Sequence, residues 1–513
     1  MTSALTTVVE TTTGSVRGLI ENGAHVFRGI PYAAAPTGKR RFRPPAPAEA
    51  WEGERDATRF GPVCLQQPMP GIFGEIGTPP NPSGDDCLNL NVWTPDVTAP
   101  TLPVLVWIHG GAFYAGSGID DVYNGDAFAR DGVVCVTLNY RLGAQGFCHL
   151  AEQFPELPDA GNLGILDQIA ALEWVRDNIA AFGGDPSQVT IAGESAGGMS
   201  VGTLLATPRA QGLFQRAIPQ SGAGHNGISA ATAGRIAGLL LEELDVAPGD
   251  LAALESVSPE RLLAAQIALS DDLTTTRDPE RFGEAAASAM AFQPTFETTV
   301  LPQRPIDAIA DGAAAGIDVM VGTTREEALI FTADLKDMFN DELVQASLDA
   351  VMVPYGRSGA DVLATYRANR PGASADVLAA AVETDRMFRV PAIRLADAQA
   401  LHAPNTWLYQ FAWRSTARDG EFGACHFLEV PFAFDQIDND QARGIAGDPP
   451  AELAAAVHGA WVSFVKSGDP GHAGLPTWPR WDSATRPTMR LDLESAVISD
   501  PEADEVAVWE GVL

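Results

Sequence analysis

Basic residues are scarce in this sequence. Lys and Arg together number 33 against 66 Asp and Glu in 513 residues, which gives a formal net charge of −33, and the lysines are Lys39, Lys336 and Lys466. A protein that binds nucleic acid or an anionic membrane surface needs a basic patch to meet the phosphates. The composition therefore argues against nucleic acid as a partner and favours an acidic, solubilising surface.

Cysteine, metal-binding spacings and long apolar runs are also rare. The five cysteines are odd in number and far apart, unlike a disulfide scaffold, and no CxxC or HExxH spacing occurs, so we expect neither a metal nor a cofactor. The sequence contains no run of about 18 apolar residues, so we expect no membrane span. Because Met1–Gly18 lacks the basic and apolar regions of a secretory signal, we expect a cytoplasmic protein.

Short apolar runs with helical segments between them predict an α/β fold, in which helices cover a mainly parallel central sheet. The predicted strands are Val104–Ile108, Val133–Leu138, Val189–Ala192, Ala217–Gln220, Ile317–Thr323 and Trp407–Trp413. Between the second and third of these, Asn162–Phe182 has apolar residues at helical spacing, which indicates a βαβ unit.

The rest of the chain adds to this unit without a repeat or a linker, so residues 1–513 are predicted to form one catalytic domain. Segments 226–290 and 334–400 have a helical pattern without strand signals, and we expect them to be helical excursions that wall a pocket. Gln67–Asp85 and Gly444–Glu452 are rich in Pro and Gly and predict long loops. Phe73, Phe113 and Phe331 are candidates for the pocket lining or, equally, for the core.

The sequence Gly193-Glu194-Ser195-Ala196-Gly197 follows a predicted strand and opens a predicted helix, Ala196–Thr207. This is the setting of the G-x-S-x-G turn, in which a serine is exposed at a helix N-terminus. Ser195 is therefore the candidate nucleophile. The glycines of His109-Gly110-Gly111 follow another strand, so the N–H groups of Gly110, Gly111 and Ala196 are candidates for an oxyanion hole.

A nucleophilic serine needs a histidine base and an acid that orients it. In this fold the acid and then the histidine follow the serine in the chain, which excludes His225 and leaves His402, His426, His458 and His472. His426 is the candidate base because it lies in a small-residue loop after the last predicted strand. Glu326 and Glu327 both follow the strand Ile317–Thr323, and their spacing does not choose between them.

Five motifs of the chain together resemble the type-B carboxylesterases, the family of cholinesterases and bacterial p-nitrobenzyl esterases. The matching segments are Phe27-Arg28-Gly29-Ile30-Pro31-Tyr32-Ala33, Asp85-Asp86-Cys87-Leu88-Asn89-Leu90-Asn91-Val92, Asn139-Tyr140-Arg141-Leu142-Gly143, Phe182-Gly183-Gly184-Asp185-Pro186 and Gly193-Glu194-Ser195-Ala196-Gly197-Gly198. The resemblance covers nearly the whole chain and implies the α/β-hydrolase fold.

The resemblance also implies roles for single residues. It assigns Ser195 as nucleophile, His426 as base and Glu327 as acid, and it aligns the family's acid motif with Gly322 through Ala328. The chain departs from that motif at Glu326 and Ala328, so Glu326 stays the alternative acid. Ser221 matches a serine that supports the acid, Glu194 would lie beside the nucleophile, and Cys64 and Cys87 match a disulfide whose formation is left open.

These residues predict a serine carboxylesterase that hydrolyses small-molecule carboxylic esters in two steps through an acyl group on Ser195. The alternatives are a lipase, an amidase or a carbamate hydrolase with the same triad, or a binding module without activity. The sequence makes no prediction of the oligomeric state.

Overall fold

The predicted strands form the middle of a larger sheet in the computed structural model, which describes residues 4–69, 71–77, 83–99 and 101–512. In chain order the strands are β1 (Ala4–Leu5), β2 (Val9–Thr11), β3 (Gly14–Arg17), β4 (Leu19–Glu21), β5 (Ala24–Pro31), β6 (Glu54–Asp56), β7 (Asn89–Thr94), β8 (Leu102–Ile108), β9 (Val134–Leu138), β10 (Gly184–Glu194), β11 (Arg216–Gln220), β12 (Ile228–Ser229), β13 (Thr295–Phe296), β14 (Asp318–Thr324), β15 (Thr406–Phe411), β16 (Pro487–Leu491) and β17 (Ala496–Ser499).

Twelve of these strands pair in the order β1-β4-β5-β7-β9-β8-β10-β11-β14-β15-β16-β17. The seven neighbouring strands from β9 to β16 are parallel to one another, whereas the strands on both sides of them pair antiparallel. The predicted parallel sheet is thus the centre of the structure. The antiparallel strands near the N-terminus were not predicted.

The central strands are buried on both faces because helices cover the sheet on each side. Along β8, Val104, Val106 and Ile108 belong to one apolar cluster, while Leu105 and Trp107 belong to the other. Alternate side chains of a strand point to opposite faces, so a strand that is apolar at every position must be covered twice. This explains why these strands appear in the sequence as unbroken apolar runs.

The helices include the one predicted in the βαβ unit and many more in the two excursions. They are α1 (Gly71–Ile76), α2 (Asp126–Arg130), α3 (Gly143–Phe147), α4 (Leu163–Asn178), α5 (Ala196–Ala206), α6 (Ala230–Glu243), α7 (Leu251–Ser256), α8 (Pro259–Thr276), α9 (Pro279–Phe282), α10 (Ala285–Ser288), α11 (Pro305–Ala310), α12 (Leu329–Thr332), α13 (Asp341–Met352), α14 (Gly359–Asn369), α15 (Ala375–Thr384), α16 (Val390–Ala400), α17 (Val430–Ala433), α18 (Asp440–Ala446), α19 (Ala451–Ser467) and α20 (Ala503–Ala507).

Both predicted loops are shorter than expected. Within Gln67–Asp85 the structure has the helix α1, and Pro70 and residues 78–82 of this segment lie outside the described residues. Between Gly444 and Glu452, α18 ends at Ala446 and α19 begins at Ala451, so four residues connect them. Proline at the beginning of a helix and glycine at its end fit helix termini as well as loops, which is why composition misled the prediction.

Cys64 and Cys87 form a disulfide with a Cα–Cα distance of 5.0 Å, while Cys135, Cys148 and Cys425 are buried and free. The disulfide joins the two ends of the segment that contains α1. The resemblance had implied this pair and left its formation open. Within the described part of the chain, no helix is both long and apolar enough to cross a membrane.

The parallel strands bring the candidate site residues to one edge of the sheet. In the register of the sheet Gly193 pairs with Ile108, Glu194 with Gln220, and Thr324 with Phe411. The segments after β8, β10, β11, β14 and β15 therefore begin side by side at the carboxyl edge. Ligands of open α/β sheets bind at this edge.

Candidate active site

Ser195 occupies a strained turn between β10 and α5. Its backbone has φ 57° and ψ −125°, a conformation that costs a non-glycine residue about 1–3 kcal/mol. The turn passes so close to β8 that a Cβ on Gly197 would lie 2.0 Å from the carbonyl oxygen of Ile108. Glycine at this position allows the turn, and the turn holds Ser195 at the N-terminus of α5, where the helix dipole favours negative charge.

The segment after β8 lies directly against this turn. A Cβ on Gly110 would lie 2.7 Å from the carbonyl oxygen of Glu194 and 3.1 Å from Cβ of Ser195, so only glycine allows this approach. No hydrogen bond among the described residues uses the N–H of Gly110 or Gly111. Ala196 is the first residue of α5, and its N–H has no acceptor within the helix. The predicted donors Gly110 and Ala196 thus lie next to Ser195, and Gly111 lines the same cavity as Ser195.

His109 holds this segment in place and does not line the cavity. Its Nδ1–H donates to the carbonyl oxygen of Gly110 over 2.8 Å, its ring stacks on Tyr140 at 4.5 Å, and the Tyr140 hydroxyl donates to its carbonyl oxygen. Burial lowers the pKa of His109 to about 4, partly offset by the bond to Gly110, so the ring is neutral at physiological pH. A neutral, stacked imidazole fits a structural role.

Glu327 and His426 form a buried pair. Glu327 Oε2 accepts a hydrogen bond from Nδ1–H of His426 over 2.6 Å, and its Oε1 accepts from the hydroxyl of Ser221 over 2.6 Å and from the N–H of Thr324 over 2.7 Å. The backbone N–H of His426 also donates to the Glu327 carbonyl oxygen. Because a carboxylate only accepts, the contact fixes the proton of a neutral imidazole on Nδ1 and leaves Nε2 as a proton acceptor.

Glu326, the alternative acid, faces away from this pair. Its carboxylate forms an ion pair with Arg414 at the surface and accepts from the N–H of Ala424 over 3.0 Å. The structure therefore separates two neighbouring carboxylates that the sequence could not separate. Glu327 contacts the imidazole, and Glu326 contacts the backbone of the segment that leads to His426.

The other candidate histidines lie elsewhere. Nε2 of His402 contacts the Ala310 carbonyl oxygen, and Nε2 of His472 contacts that of Ala456. His458, inside α19, contacts the Ala433 carbonyl oxygen and Asp131. None of the three lines the cavity that contains Ser195.

Two further buried carboxyl groups, those of Glu194 and Glu429, interact electrostatically with Glu327. Nε2 of His426 lies 3.0 Å from Oε1 of Glu194 without the alignment of a hydrogen bond. Burial and then the charge of Glu327 raise the pKa of Glu194 well above its ordinary value. Burial and the two neighbouring glutamates raise the pKa of Glu429 to about 8. A pKa of about 8 leaves Glu429 mostly protonated at neutral pH. The raised pKa of Glu194 favours its uncharged form.

The sequence had not singled out Glu429 or its partners. Gln220 Nε2 donates to Glu429 over 3.3 Å, and the Trp461 Nε1–H donates to Gln220 Oε1 over 2.8 Å. Glu429 follows His426 by three residues in the chain. The one sequence signal that could have indicated the burial of Glu429 near the site is its position three residues after the predicted base.

Ser195 and His426 line one cavity of about 450 Å³, together with Gly110, Gly111 and Glu194. Five aromatic residues contribute to its other walls: Phe73, Tyr114, Tyr123, Phe331 and Phe427. Phe73 and Phe331 are thus lining residues, whereas Phe113 is buried against Phe147 in the core. A cavity of this size and character suits a small organic ligand.

Neither helical excursion contributes a described lining residue to this cavity, in contrast to the expectation that they wall the pocket. The buried side chains of α6 and α8 belong to the apolar cluster on one face of the sheet, so their apolar faces are already occupied. The second excursion reaches the site through Phe388, whose ring centroid lies 4.8 Å from that of His426.

Comparison with known proteins agrees with this architecture. A profile of the carboxylesterase family matches residues 5–509. The chain is 39% identical over 502 residues to the para-nitrobenzyl esterase of Bacillus subtilis, covering 97% of each protein, and 37% identical over 513 residues to the phenmedipham hydrolase of Pseudarthrobacter oxydans, covering 98% and 96%. A solved carboxylesterase structure from Geobacillus stearothermophilus is similar with a TM-score of 0.85 and 38% identity, over 98% of this chain and 100% of that one.

Proposed function

Because the chain belongs to the carboxylesterase family and is a serine carboxylesterase, we propose that Ser195, His426 and Glu327 carry its catalysis. The observation that supports this assignment is the buried contact between Glu327 and Nδ1 of His426, next to a cavity that Ser195 also lines. This contact gives the imidazole the tautomer that a base for Ser195 needs.

In the first step, Ser195 Oγ attacks the ester carbonyl carbon while Nε2 of His426 takes the hydroxyl proton. The negative charge that develops on the carbonyl oxygen is stabilised by the N–H groups of Gly110, Gly111 and Ala196. The C–O bond to the alcohol then breaks, His426 returns the proton to the leaving oxygen, and the acyl group remains on Ser195.

In the second step, water replaces the alcohol. His426 takes one proton of the water, the hydroxide oxygen attacks the acyl carbon, and the proton passes to Ser195 Oγ as the carboxylic acid leaves. Glu327 keeps its charge throughout and stabilises the imidazolium that forms twice in each cycle. The raised pKa values of Glu194 and Glu429 favour their uncharged forms, which limits further negative charge near Glu327.

We propose neutral esters as the preferred substrates. Asp120 and Glu194 line the cavity, and no lysine or arginine is among its described lining residues. A carboxylate on the substrate would lose water without gaining a cationic partner, and its burial is therefore costly.

A matched pair of substrates tests this proposal. We expect p-nitrophenyl butyrate to be hydrolysed readily, and p-nitrophenyl hemisuccinate, of similar length but anionic, to have a kcat/KM at least about tenfold lower, equivalent to 1.4 kcal/mol. The measurement is release of p-nitrophenol from both esters and from a series of graded acyl length. Equal kcat/KM for the pair would contradict the preference for neutral esters.

Two further measurements distinguish an esterase from an amidase and from a lipase. We expect p-nitrobutyranilide to be cleaved much more slowly than the ester, and we expect no sharp rise in rate when an ester substrate passes its solubility limit. Faster cleavage of the anilide would favour an amidase. A steep increase on emulsified ester would favour a lipase.

Ser221 is proposed to support Glu327. Replacing Ser221 by Ala removes the 2.6 Å hydrogen bond to Oε1 and leaves the bond from Thr324 N–H. Because hydrogen bonds to charged groups contribute about 1.5–3 kcal/mol, we expect kcat to fall by about 10- to 100-fold. The check is steady-state kinetics beside Ser200→Ala, which removes a buried hydroxyl bonded to Gln168. Equal kinetics of the two variants would refute the supporting role.

We propose that residues 1–513 act as one catalytic domain. In support, the same sheet includes Ala4–Leu5 and Ala496–Ser499, and the family match extends over residues 5–509. The cytoplasmic location stays a prediction.

A further inference from the structure

A π-helical turn, Asp385–Arg389, lies between α15 and α16 and contacts the segments of both Glu327 and His426. We propose that this turn, together with Thr384 directly before it, is a positioning unit that fixes the acid and the base relative to each other. The proposal rests on the catalytic roles proposed above. It concerns residues that do not contact the substrate and that act through Glu327 and His426.

The turn and the residue directly before it hold the acid segment on both sides of Glu327. On one side, the N–H of Ala328 donates to the hydroxyl of Thr384, the last residue of α15, over 3.2 Å. On the other side, Nη2 of Arg389 donates to the carbonyl oxygen of Arg325 over 2.8 Å. Glu327 lies between these two anchored residues, so its backbone cannot shift without breaking one of the bonds.

The same turn contacts the base. The ring of Phe388 packs against the ring of His426 with 4.8 Å between centroids and an interplanar angle of 42°. Hydrogen bonding to Glu327 fixes one edge of the imidazole, and Phe388 supports its face. Acid and base therefore share one support.

The π-helical geometry brings these three contacts together. At about 100° per residue in an α-helix, position i+5 is rotated by about 140° from position i, which would turn Arg389 away from Thr384. In the observed turn, the N–H of Val390 donates to the carbonyl oxygen of Asp385, five residues earlier. This wider turn brings position i+5 nearer to the face of position i than an α-helix would, and such turns occur frequently at functional sites.

A buried polar network holds the other side of the turn. Asp385 forms an ion pair with Nη1 of Arg389 at 2.6 Å and accepts from the Tyr366 hydroxyl over 2.5 Å, and Nε1–H of Trp509 donates to that hydroxyl over 2.8 Å. All four side chains are buried. Removing the charges of Asp385 and Arg389 from water is costly, so this buried ion pair contributes little net stability. Its role in the proposal is to fix one geometry of the turn.

Two substitutions in the full-length enzyme test the proposal. Thr384→Val keeps the shape of the side chain and removes the acceptor for Ala328 N–H, and Phe388→Leu removes the ring from His426. We expect each to lower kcat for p-nitrophenyl butyrate by about 10- to 100-fold and to leave KM unchanged, because small displacements of catalytic groups slow the chemical step. Thr384→Ser, which restores a hydroxyl, should recover most of kcat.

Matched controls separate positioning from a loss of packing. Thr406→Val removes the buried hydroxyl bonded to Ala403, and Phe464→Leu shortens a buried ring that contacts Trp407. Both should keep kcat. The proposal is overturned if Thr384→Ser is as slow as Thr384→Val, if Phe464→Leu loses as much kcat as Phe388→Leu, or if Thr384→Val and Phe388→Leu keep full activity.

The variant Glu327→Gln shows whether a negative result refutes the positioning role or the proposed catalytic roles. If Glu327→Gln is inactive while Thr384→Val and Phe388→Leu are fully active, only the positioning role is refuted. If Glu327→Gln keeps full kcat, the assignment of the acid is refuted instead.

Discussion

Replacing Ser195 by Ala is expected to lower kcat for p-nitrophenyl esters by about 10⁴- to 10⁶-fold. The substitution removes the only atom that forms the acyl bond in the proposed cycle. It leaves the donors of Gly110, Gly111 and Ala196 in place, so the residual rate should come from these N–H groups and from substrate binding. Steady-state hydrolysis of p-nitrophenyl butyrate measures the loss.

Ser200→Ala is the matched control for this prediction. Ser200 lies on the same helix α5, is fully buried and accepts a hydrogen bond from Gln168 over 3.0 Å, but it does not line the cavity. We expect its kcat to stay close to that of the unmodified enzyme. Retention of most activity in Ser195→Ala, measured beside this control, would refute Ser195 as the nucleophile.

Replacing Glu327 by Gln is expected to lower kcat by about 10⁴-fold, since an amide in place of a triad carboxylate favours the wrong tautomer of the histidine. The amide NH₂ can donate to Nδ1 of His426, which moves the imidazole proton to Nε2 and prevents it from accepting the proton of Ser195. The same change also removes the charge that stabilises the imidazolium. Steady-state kinetics across pH, with KM measured alongside, quantify the effect.

Glu326→Gln is the neighbouring control. Its amide oxygen can still accept from the N–H of Ala424, and the lost ion pair with Arg414 lies at the surface, where such pairs contribute about 0–1 kcal/mol. We therefore expect a much smaller loss of kcat. A larger loss in Glu326→Gln than in Glu327→Gln would mean that the acid has been assigned to the wrong glutamate.

The central part of the fold could be predicted because its strands are buried on both faces. Val104–Ile108 and Val189–Ala192 are short apolar runs, and both occur in the structure as parts of β8 and β10. The position of Ser195 followed from the same signal, since a G-x-S-x-G turn requires a strand before it and a helix after it. A local pattern was sufficient for these residues.

The strands near the N-terminus gave no such pattern. β3 (Gly14–Arg17) and β4 (Leu19–Glu21) are short and only partly buried, so they have neither an unbroken apolar run nor a long alternation. They are strands because of the partners with which they pair. That information lies in the tertiary structure and not in the segment itself.

The residues that contact Glu327 and His426 could not be predicted from local sequence patterns either. The residues alone left Glu326 and Glu327 as equal candidates, and family resemblance favoured Glu327 before the structure showed which carboxylate contacts His426. The turn Asp385–Arg389 differs from an α-helix by its wider hydrogen-bonding pattern, which no residue type marks. Thr384 and Phe388 therefore looked like ordinary residues of a buried helix.

Covalent labelling with a fluorophosphonate, followed by mass spectrometry of the digested protein, tests the role of Ser195 most directly. We expect one phosphonyl group per chain, on the peptide that contains Ser195, and a loss of esterase activity in proportion to labelling. Ser195→Ala should take up no label, and Ser200→Ala should be labelled like the unmodified enzyme. Labelling of a different residue, or full esterase activity after Ser195 has been modified completely, would contradict the role of Ser195 as the nucleophile.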